Sequence, residues 1–431
     1  MAGACAPAGG EEEGARMPSL KERALRGAAA PRKAARVAAL SRREYVSFYA
    51  RLAGLLLLSA VICVILASLF PLMLFHRKRW RVLIDQFQAL WVNGLLWMLP
   101  PQALELSGEL PDASMRPKVV IANHQTDVDW VFLWMIARSC NLGLSDRSGA
   151  VKIMLKREVQ LIPFVGWGCT LFDFIFLKRE WAVDAKLIES KLATLCRDEQ
   201  PLWIFLFVEG TTVNVASVVK SNDHARAHGR PTLNLLVLPR VRGLHHVLSV
   251  LRKNSALAPE IFDMTVAFDG YSGEVPTWEM GFSRKIDTLV PNFSKLVMGT
   301  SCRTTHIDSR RFCLSELSRA WAPELDALPP HERDAAEERA LERWVDQRWV
   351  RKERLMQAFA ERGAFPEHDC GAPVRVQVTG SIFNSLAAVT FYLCLYFGVA
   401  FTYVKYAQDG AAFFRLLERE VSERIGVSEH Y

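Results

Sequence analysis

Two stretches of this chain run for more than twenty positions without a charge: "LAGLLLLSAVICVILASLFPLMLF", Leu52 to Phe75, and "IFNSLAAVTFYLCLYFGVAFTYV", Ile382 to Val404. About 20 helical residues cross a hydrocarbon core, so each is long enough to span a bilayer. Inside lipid a lone segment can satisfy its backbone N–H and C=O groups only as a helix. Both stretches are therefore expected to be membrane segments rather than core helices, the first as a re-entrant hairpin that dips into one leaflet and returns at Pro71, because basic residues on both its flanks conflict with a single crossing.

The formal charge of +7 on 431 residues is unevenly placed. Lys21, Arg23, Arg26, Arg32, Lys33, Arg36, Arg42 and Arg43 precede the first apolar stretch, and "HRKRWR" follows it. Attraction to anionic lipid headgroups accounts for this placement. Nucleic acid is not expected as a partner, because no recognition motif accompanies the basic residues. The nine cysteines form no Cys-x-x-Cys pair and no cluster with histidine, so neither a metal site nor a disulfide framework is expected.

Composition divides the chain further. Residues 1–44, rich in Ala, Gly and Arg, lack the apolar content to fold and are expected to be disordered. Residues 45–100 hold the first membrane segment and "RVLIDQFQALWVNGLLWMLP", whose apolar spacing suggests an amphipathic, partly inserted helix, with a core-packing helix as the alternative. From 101 to 325, short β-like runs ("KVVIANH", "FIFLKR", "LWIFLFVEG", "LNLLVLPR", "FDMTVAFDG") alternate with helical stretches such as Val183 to Arg197. That alternation predicts an α/β domain, a mixed sheet with flanking helices. Residues 326–380 read as a charged, solvated helical region, 381–405 as the second membrane segment and 406–431 as a tail.

Within the α/β region, "VVIANHQTDVDW" sets a histidine and two acids directly after a β-branched run. His124 and Asp129 form the chain's single His-x4-Asp spacing. The spacing alone is weak, since ten histidines would give about half a chance match. Asp127 capping a helix start is the plain alternative. If Val119 to Ala122 form a strand, however, Asp129 on the next helix can fold back onto the imidazole, fix its tautomer and raise the basicity of the other nitrogen. Such a pair can take a proton from an alcohol.

Three further polar clusters follow apolar runs in order: Lys178 and Arg179 in "IFLKREW", Glu209, Gly210 and Thr211 in "LFVEGTT", and Pro239 and Arg240 in "VLPRVRG". Ends of strands are where open α/β folds place their sites. Four such clusters together point to an active site where each alone would read as a strand terminus.

In this order and spacing the clusters resemble the lysophosphatidate (1-acylglycerol-3-phosphate) acyltransferases of the glycerolipid acyltransferase family. "LIPFVGWG", "FLKREW", "VLPRVRG" and "RLMQAFAERGAFP" resemble its longer eukaryotic endoplasmic-reticulum branch, over about residues 45–405. The resemblance implies His124 as base, Asp129 as its partner, Arg179 as a phosphate contact, Glu209 and Gly210 as part of the acceptor site, and Pro239 as part of the acyl or acceptor wall. Lys178, Thr211 and Arg240 complete the expected substrate-binding set. One position departs: the family usually has arginine after Glu-Gly-Thr, where this chain has Thr212. Losing that guanidinium fork weakens the case for a bare phosphomonoester acceptor.

The expected reaction is transfer of a fatty acyl group from acyl-CoA to the sn-2 hydroxyl of a lysophospholipid. Lysophosphatidate is the first choice, with lysophosphatidylinositol, lysocardiolipin or another lysophospholipid as alternatives. No metal or cofactor is expected, acyl-CoA being a co-substrate. Backbone amides at the start of the helix after His124 are expected to steady the oxyanion. No Gly-x-Ser-x-Gly elbow is present, which counts against a serine lipase. A thioesterase or phospholipase using the same pair with water, and a non-catalytic lipid-binding protein, are the other classes. The expected location is the endoplasmic reticulum membrane with the α/β domain facing the cytosol, so the "NFS" sequon at Asn292 should carry no glycan. Membrane lipids are expected partners, and the sequence does not fix an oligomeric state.

Overall fold

Strand β2, Lys118–Ala122, is buried at every position, which is what an uninterrupted β-branched run requires of its surroundings. It lies inside an eight-stranded mixed sheet of order β4-β3-β5-β2-β6-β7-β1-β8. The computed structural model describes residues 42–381 except 113, 140–147, 277–289 and 367–371, together with isolated positions from 383 to 408.

In chain order the elements are α1 (Arg42–Ser68), α2 (Pro71–Phe75), α3 (Arg77–Met98), β1 (Gln102–Gly108), β2, α4 (Asp129–Ser139), β3 (Val151–Lys156), α5 (Val165–Leu171) and β4 (Ile175–Leu177). They continue with α6 (Trp181–Arg197), β5 (Trp203–Leu206), α7 (Val215–Ala227), α8 (Val241–Asn254), β6 (Glu260–Phe268) and α9 (Phe293–Met298). The last are β7 (Thr304–Cys313), α10 (Leu314–Asp326), α11 (Pro330–Arg362) and β8 (Val374–Val378). Strands β4, β3, β5, β2 and β6 run parallel, β7 turns antiparallel to β6, and β8 closes the far edge antiparallel to β1. The C-terminal ends of β2 and β5 are thus neighbours, and whatever follows each strand meets at one sheet edge.

The first apolar stretch is not one helix. Helix α1 ends at Ser68, Pro71 starts the short α2, and α3 turns back. The return is antiparallel: the Arg51 guanidinium donates to the Met98 carbonyl at 3.2 Å, and Trp91 Nε1 donates to Ser59 Oγ at 2.8 Å. Gly94 permits the close approach, since a Cβ there would fall 2.4 Å from a Leu58 methyl. Tyr45–Ser68 is the single helix among the described residues long and apolar enough to cross a membrane.

Helix α3 resolves to the core-packing alternative. Trp80, Ile84, Phe87 and Leu95 are buried. Gln88 donates to the Ser148 and Val151 carbonyls, and Lys152 reaches Asp85 at 3.0 Å. In the basic "HRKRWR" segment Arg81 is buried and Arg77 half-buried, while His76, Lys78 and Arg79 are exposed. Arg77 pairs with Asp173 and Asp198, Lys78 with Glu199, and Arg81 with Asp85.

Two more expectations are corrected. "LNLLVLPR" is not a strand, because side chains rather than a neighbouring strand take its amides. Glu353 accepts from Asn234 and Leu235, Asn222 from Leu233, and Ser221 from Leu238. Its leucines are buried, which explains the apolar run. Second, α11 is not a solvated helix and residue 325 is not a packing boundary. Leu341, Val345, Trp349, Met356 and Phe359 of α11 are buried, and β8 beyond it completes the sheet. Charges on its inner face are matched: Lys352 and Arg348 each lie 2.6 Å from Asp263, and Arg351 lies 2.7 Å from Asp308. The expected disordered N-terminal region falls outside the described residues through position 41, as do nearly all of the second membrane segment and the tail.

Candidate active site

His124 leaves the end of β2, and Asp129 opens α4. Their side chains meet, with Nδ1 of His124 2.9 Å from Asp129 Oδ2. The same carboxylate accepts from the Gln125 and Thr126 amides at 2.7 and 2.9 Å and from Thr126 Oγ1 at 3.0 Å. Four donors around one carboxylate that is 2% exposed leave it a single orientation. An acceptor facing Nδ1 places the proton on that nitrogen, so the Nε2 lone pair is free for chemistry. The ring stacks on Phe207, with centroids 4.1 Å apart, and keeps 19% of its side-chain surface open. Asp129, not Asp127, therefore caps this turn. The Gln125 and Thr126 amides, which precede α4, are committed to this carboxylate.

The strand end is also locked across the sheet. Asn123 Nδ2 donates to the Val266 carbonyl at 3.0 Å, and the Val266 amide donates back to Oδ1 at 2.8 Å.

The Glu209–Thr212 turn after β5 lies along this corner, its exit amide on Val213 donating to the His124 carbonyl at 2.9 Å. Gly210 holds φ +72°, a left-handed conformation that strains other residues, and is exposed. Thr211 and Thr212 are half-buried beside it. Arg240 packs over the turn, its amide donating to the Val208 carbonyl at 2.8 Å and its side chain lying 3.6 Å from where a Gly210 Cβ would be. The neighbouring Pro239 carbonyl accepts from Arg230. This cluster therefore joins the site from a loop, not from a strand end.

Glu209 does not face an open acceptor site. It is fully buried and accepts a hydrogen bond from Trp349 Nε1 of α11 at 3.1 Å. Burial pushes its carboxyl up to about 8, against the downward pull of the Trp349 hydrogen bond, the His124 and Val237 amides and the Lys352 charge. Those two amides face the carboxylate without closing a well-aligned hydrogen bond. Oε2 has no hydrogen-bond partner among the described residues.

Lys178 and Arg179 stand apart. They follow β4, with β3 and β5 between it and β2, and both are exposed at the same sheet edge. The Lys178 amide donates to Asp184 at 2.9 Å, and Arg179 holds φ +66°. The arrangement thus offers a basic nitrogen in a stacked, carboxylate-pinned imidazole, an exposed glycine turn beside it, and cations at a distance.

Phe207, Trp349 and Lys352 were not among the residues expected in the site. A signal existed for the last two. Leu341, Val345, Trp349, Lys352, Met356 and Phe359 recur at helical spacing, and a lysine on that stripe is a charge on a buried face.

Residues 105–238 match the Acyltransferase family model, and residues 330–392 match the model named Acyltransferase C-terminus. The chain is 28% identical to lysocardiolipin acyltransferase 1 of Danio rerio over 69% of this chain and 66% of the relative. It is 28% identical to a probable 1-acyl-sn-glycerol-3-phosphate acyltransferase of Arabidopsis thaliana over 63% of this chain and 61% of the relative. With a lysophosphatidylinositol acyltransferase of Caenorhabditis elegans it shares 25% identity over 66% of this chain and 64% of the relative. The chain thus spans less than two thirds of the length of each of these three. His124, Asp129 and Glu209 fall inside the first family match, and Trp349 and Lys352 inside the second.

Proposed function

Because the chain belongs to the acyltransferase family whose two models it matches, we propose that it moves a fatty acyl group from acyl-CoA to the sn-2 hydroxyl of a lysophospholipid, with lysophosphatidate as acceptor and phosphatidate as product. The observation that carries this reading is the His124–Asp129 pair, 2.9 Å apart, with the second imidazole nitrogen left free at a partly open edge.

His124 Nε2 takes the proton of the acceptor hydroxyl while Asp129 holds the Nδ1 proton in place. The oxygen attacks the thioester carbonyl carbon to give a tetrahedral intermediate. The C–S bond then breaks, an ester forms, and the imidazolium returns its proton to the CoA thiolate. Arg179 and Lys178 are assigned to a phosphate, at a distance that suits a headgroup better than the reacting carbon. The Gly210–Thr212 turn and Arg240 are assigned to the acceptor side. The apolar helix Tyr45–Ser68 supports membrane association, and we place the enzyme at the endoplasmic reticulum with this domain on the cytosolic side, where acyl-CoA is.

One observation favours a larger headgroup as the second reading. Thr212 supplies no guanidinium where the resemblance leads one to expect it, and relatives are named for lysocardiolipin and lysophosphatidylinositol as well as 1-acylglycerol-3-phosphate. The test is an assay of the purified full chain with one acyl-CoA against a panel of lysophospholipids. Esterification of lysophosphatidate above the others supports the first reading, and preference for lysocardiolipin or lysophosphatidylinositol supports the second. Release of free fatty acid without any lysolipid would overturn both in favour of a thioesterase.

A further inference from the structure

We propose that Trp349 of α11 is a positioning residue for the His124–Asp129 pair and acts through Glu209, so that the C-terminal helix is a working part of the active site. This rests on the acyl-transfer reading above and adds to it a residue some 140 positions from Glu209 in the chain.

Helix α11 reaches the site through buried polar groups as well as apolar packing. Lys352, 0% exposed, lies 2.6 Å from Asp263 Oδ1 and donates to the Met264 carbonyl on β6, the strand next to β2. Its ammonium sits 5.0 Å from the centroid of the Trp349 ring, which fixes the indole from one side. The indole is itself 0% exposed and directs its one N–H at Glu209 Oε1.

A buried indole donor and a buried carboxyl acceptor are each costly to leave unpaired, so the two hold one another. Glu209 in turn lies against the His124 amide, and its turn is bonded to the His124 carbonyl through Val213. Two residues before Glu209, Phe207 carries the imidazole on its ring face. Trp349 therefore bears on both the main chain and the ring plane of His124 without touching either. Since the Glu209 side chain is closed to solvent, its part is to support the pair and not to contact the acceptor.

The experiment uses the full chain in detergent micelles with oleoyl-CoA and lysophosphatidate, and compares Trp349→Phe, Glu209→Leu and the double variant. Trp349→Phe keeps an aromatic ring and removes the donor; Glu209→Leu keeps a similar volume and removes the acceptor. Each single variant is expected to lower kcat about tenfold and the thermal midpoint by a few degrees, since a buried partner is left unpaired, with both KM values within about twofold. The double variant is expected to be no slower than the worse single one, because both break one chain of contacts. A double variant about a hundredfold slower, a loss confined to KM, or a Trp349→Phe enzyme with wild-type kcat overturns the role. Should Trp349→Phe fail to fold, Trp349→Tyr is read in the same cycle, and failure of both to fold marks Trp349 as packing only. A wild-type chain that acylates none of the lysophospholipids overturns the proposed reaction itself, which is a different result from an active wild type matched by Trp349→Phe.

Discussion

Phe207 lies nearly parallel to His124, with ring centroids 4.1 Å apart and planes 20° from one another. With Asp129 on Nδ1, the imidazole has one face covered and one nitrogen occupied, so its remaining nitrogen points along a fixed line. A base held in this way loses little freedom when a substrate arrives.

His124→Ala is expected to reduce kcat by a hundredfold or more, the ordinary worth of a general base, with little change in the thermal midpoint. Asp129→Asn should cost nearly as much, because an amide can present its N–H to Nδ1 and turn the tautomer round. Steady-state assays with an acyl-CoA and a lysophospholipid check both. A His124→Ala enzyme keeping more than about a tenth of wild-type kcat would remove the imidazole from the mechanism.

Arg179 is exposed and has two strands between its own and that of the pair, so its substitution should change binding rather than chemistry. Arg179→Ala is expected to raise KM for a phosphate-bearing lysolipid several-fold and leave that for acyl-CoA nearly as it was. Thr212→Arg should shift preference toward lysophosphatidate over acceptors with larger headgroups. Unchanged KM values for both substrates in Arg179→Ala would dissociate this residue from the headgroup.

Glu209 gives the protein a pH-dependent stability of defined sign. Burial, the largest influence, raises its carboxyl from 4.5 to about 8. Between those values the folded protein keeps a proton that the unfolded chain has released, so stability falls as pH rises across that interval. Glu209→Gln cannot titrate and escapes the loss. Thermal midpoints measured from pH 5 to 8 should therefore move in favour of the Gln variant as pH rises. A constant gap between the two proteins would mean that Glu209 is ionised in the fold.

The parts of the fold that sequence conveys well are those with one dominant cause. Val119 to Ile121 is apolar and β-branched on both faces, and only a central strand buries both. The His124–Asp129 contact was legible because a strand end and a helix start five residues apart allow few other placements. Leu233 to Leu238 misleads because burial alone looks like a strand; the side chains that take its amides, Asn222, Ser221 and Glu353, come from α7 and from α11 over a hundred residues on. Arg348, Arg351 and Lys352 mislead in the opposite direction. Charges at that density suggest solvent, and the buried Asp263 and Asp308 that neutralise them lie on distant strands. Glu209 reads as a surface contact for the same reason, since the indole that covers it is supplied from α11.

The path of α1 leads to an expectation about the side of a membrane on which the N-terminal region lies. Near its start, Arg51 is bonded to the last turn of α3, where the chain enters β1. Beyond its end, Arg77 is clamped by Asp173 and Asp198 at 2.5 and 2.9 Å, both inside the α/β domain. A helix whose two ends are fastened to the same domain cannot carry its N-terminus through a bilayer while that domain stays on one side. Only 33% of its most apolar window is buried, and Leu57 and Val64 are 67% and 68% exposed, so the outward face is available to lipid. The helix is thus expected to lie along one leaflet, with the sheet beside it, which is how an amphipathic surface meets a membrane. Epitope tags at residue 1 and near residue 300 should both be cut by protease added to sealed microsomes. Asn292, which caps α9 through its side chain, should carry no glycan on the cytosolic side. Protection of the N-terminal tag alone would restore a single crossing, and a glycan on Asn292 would put the whole domain in the lumen.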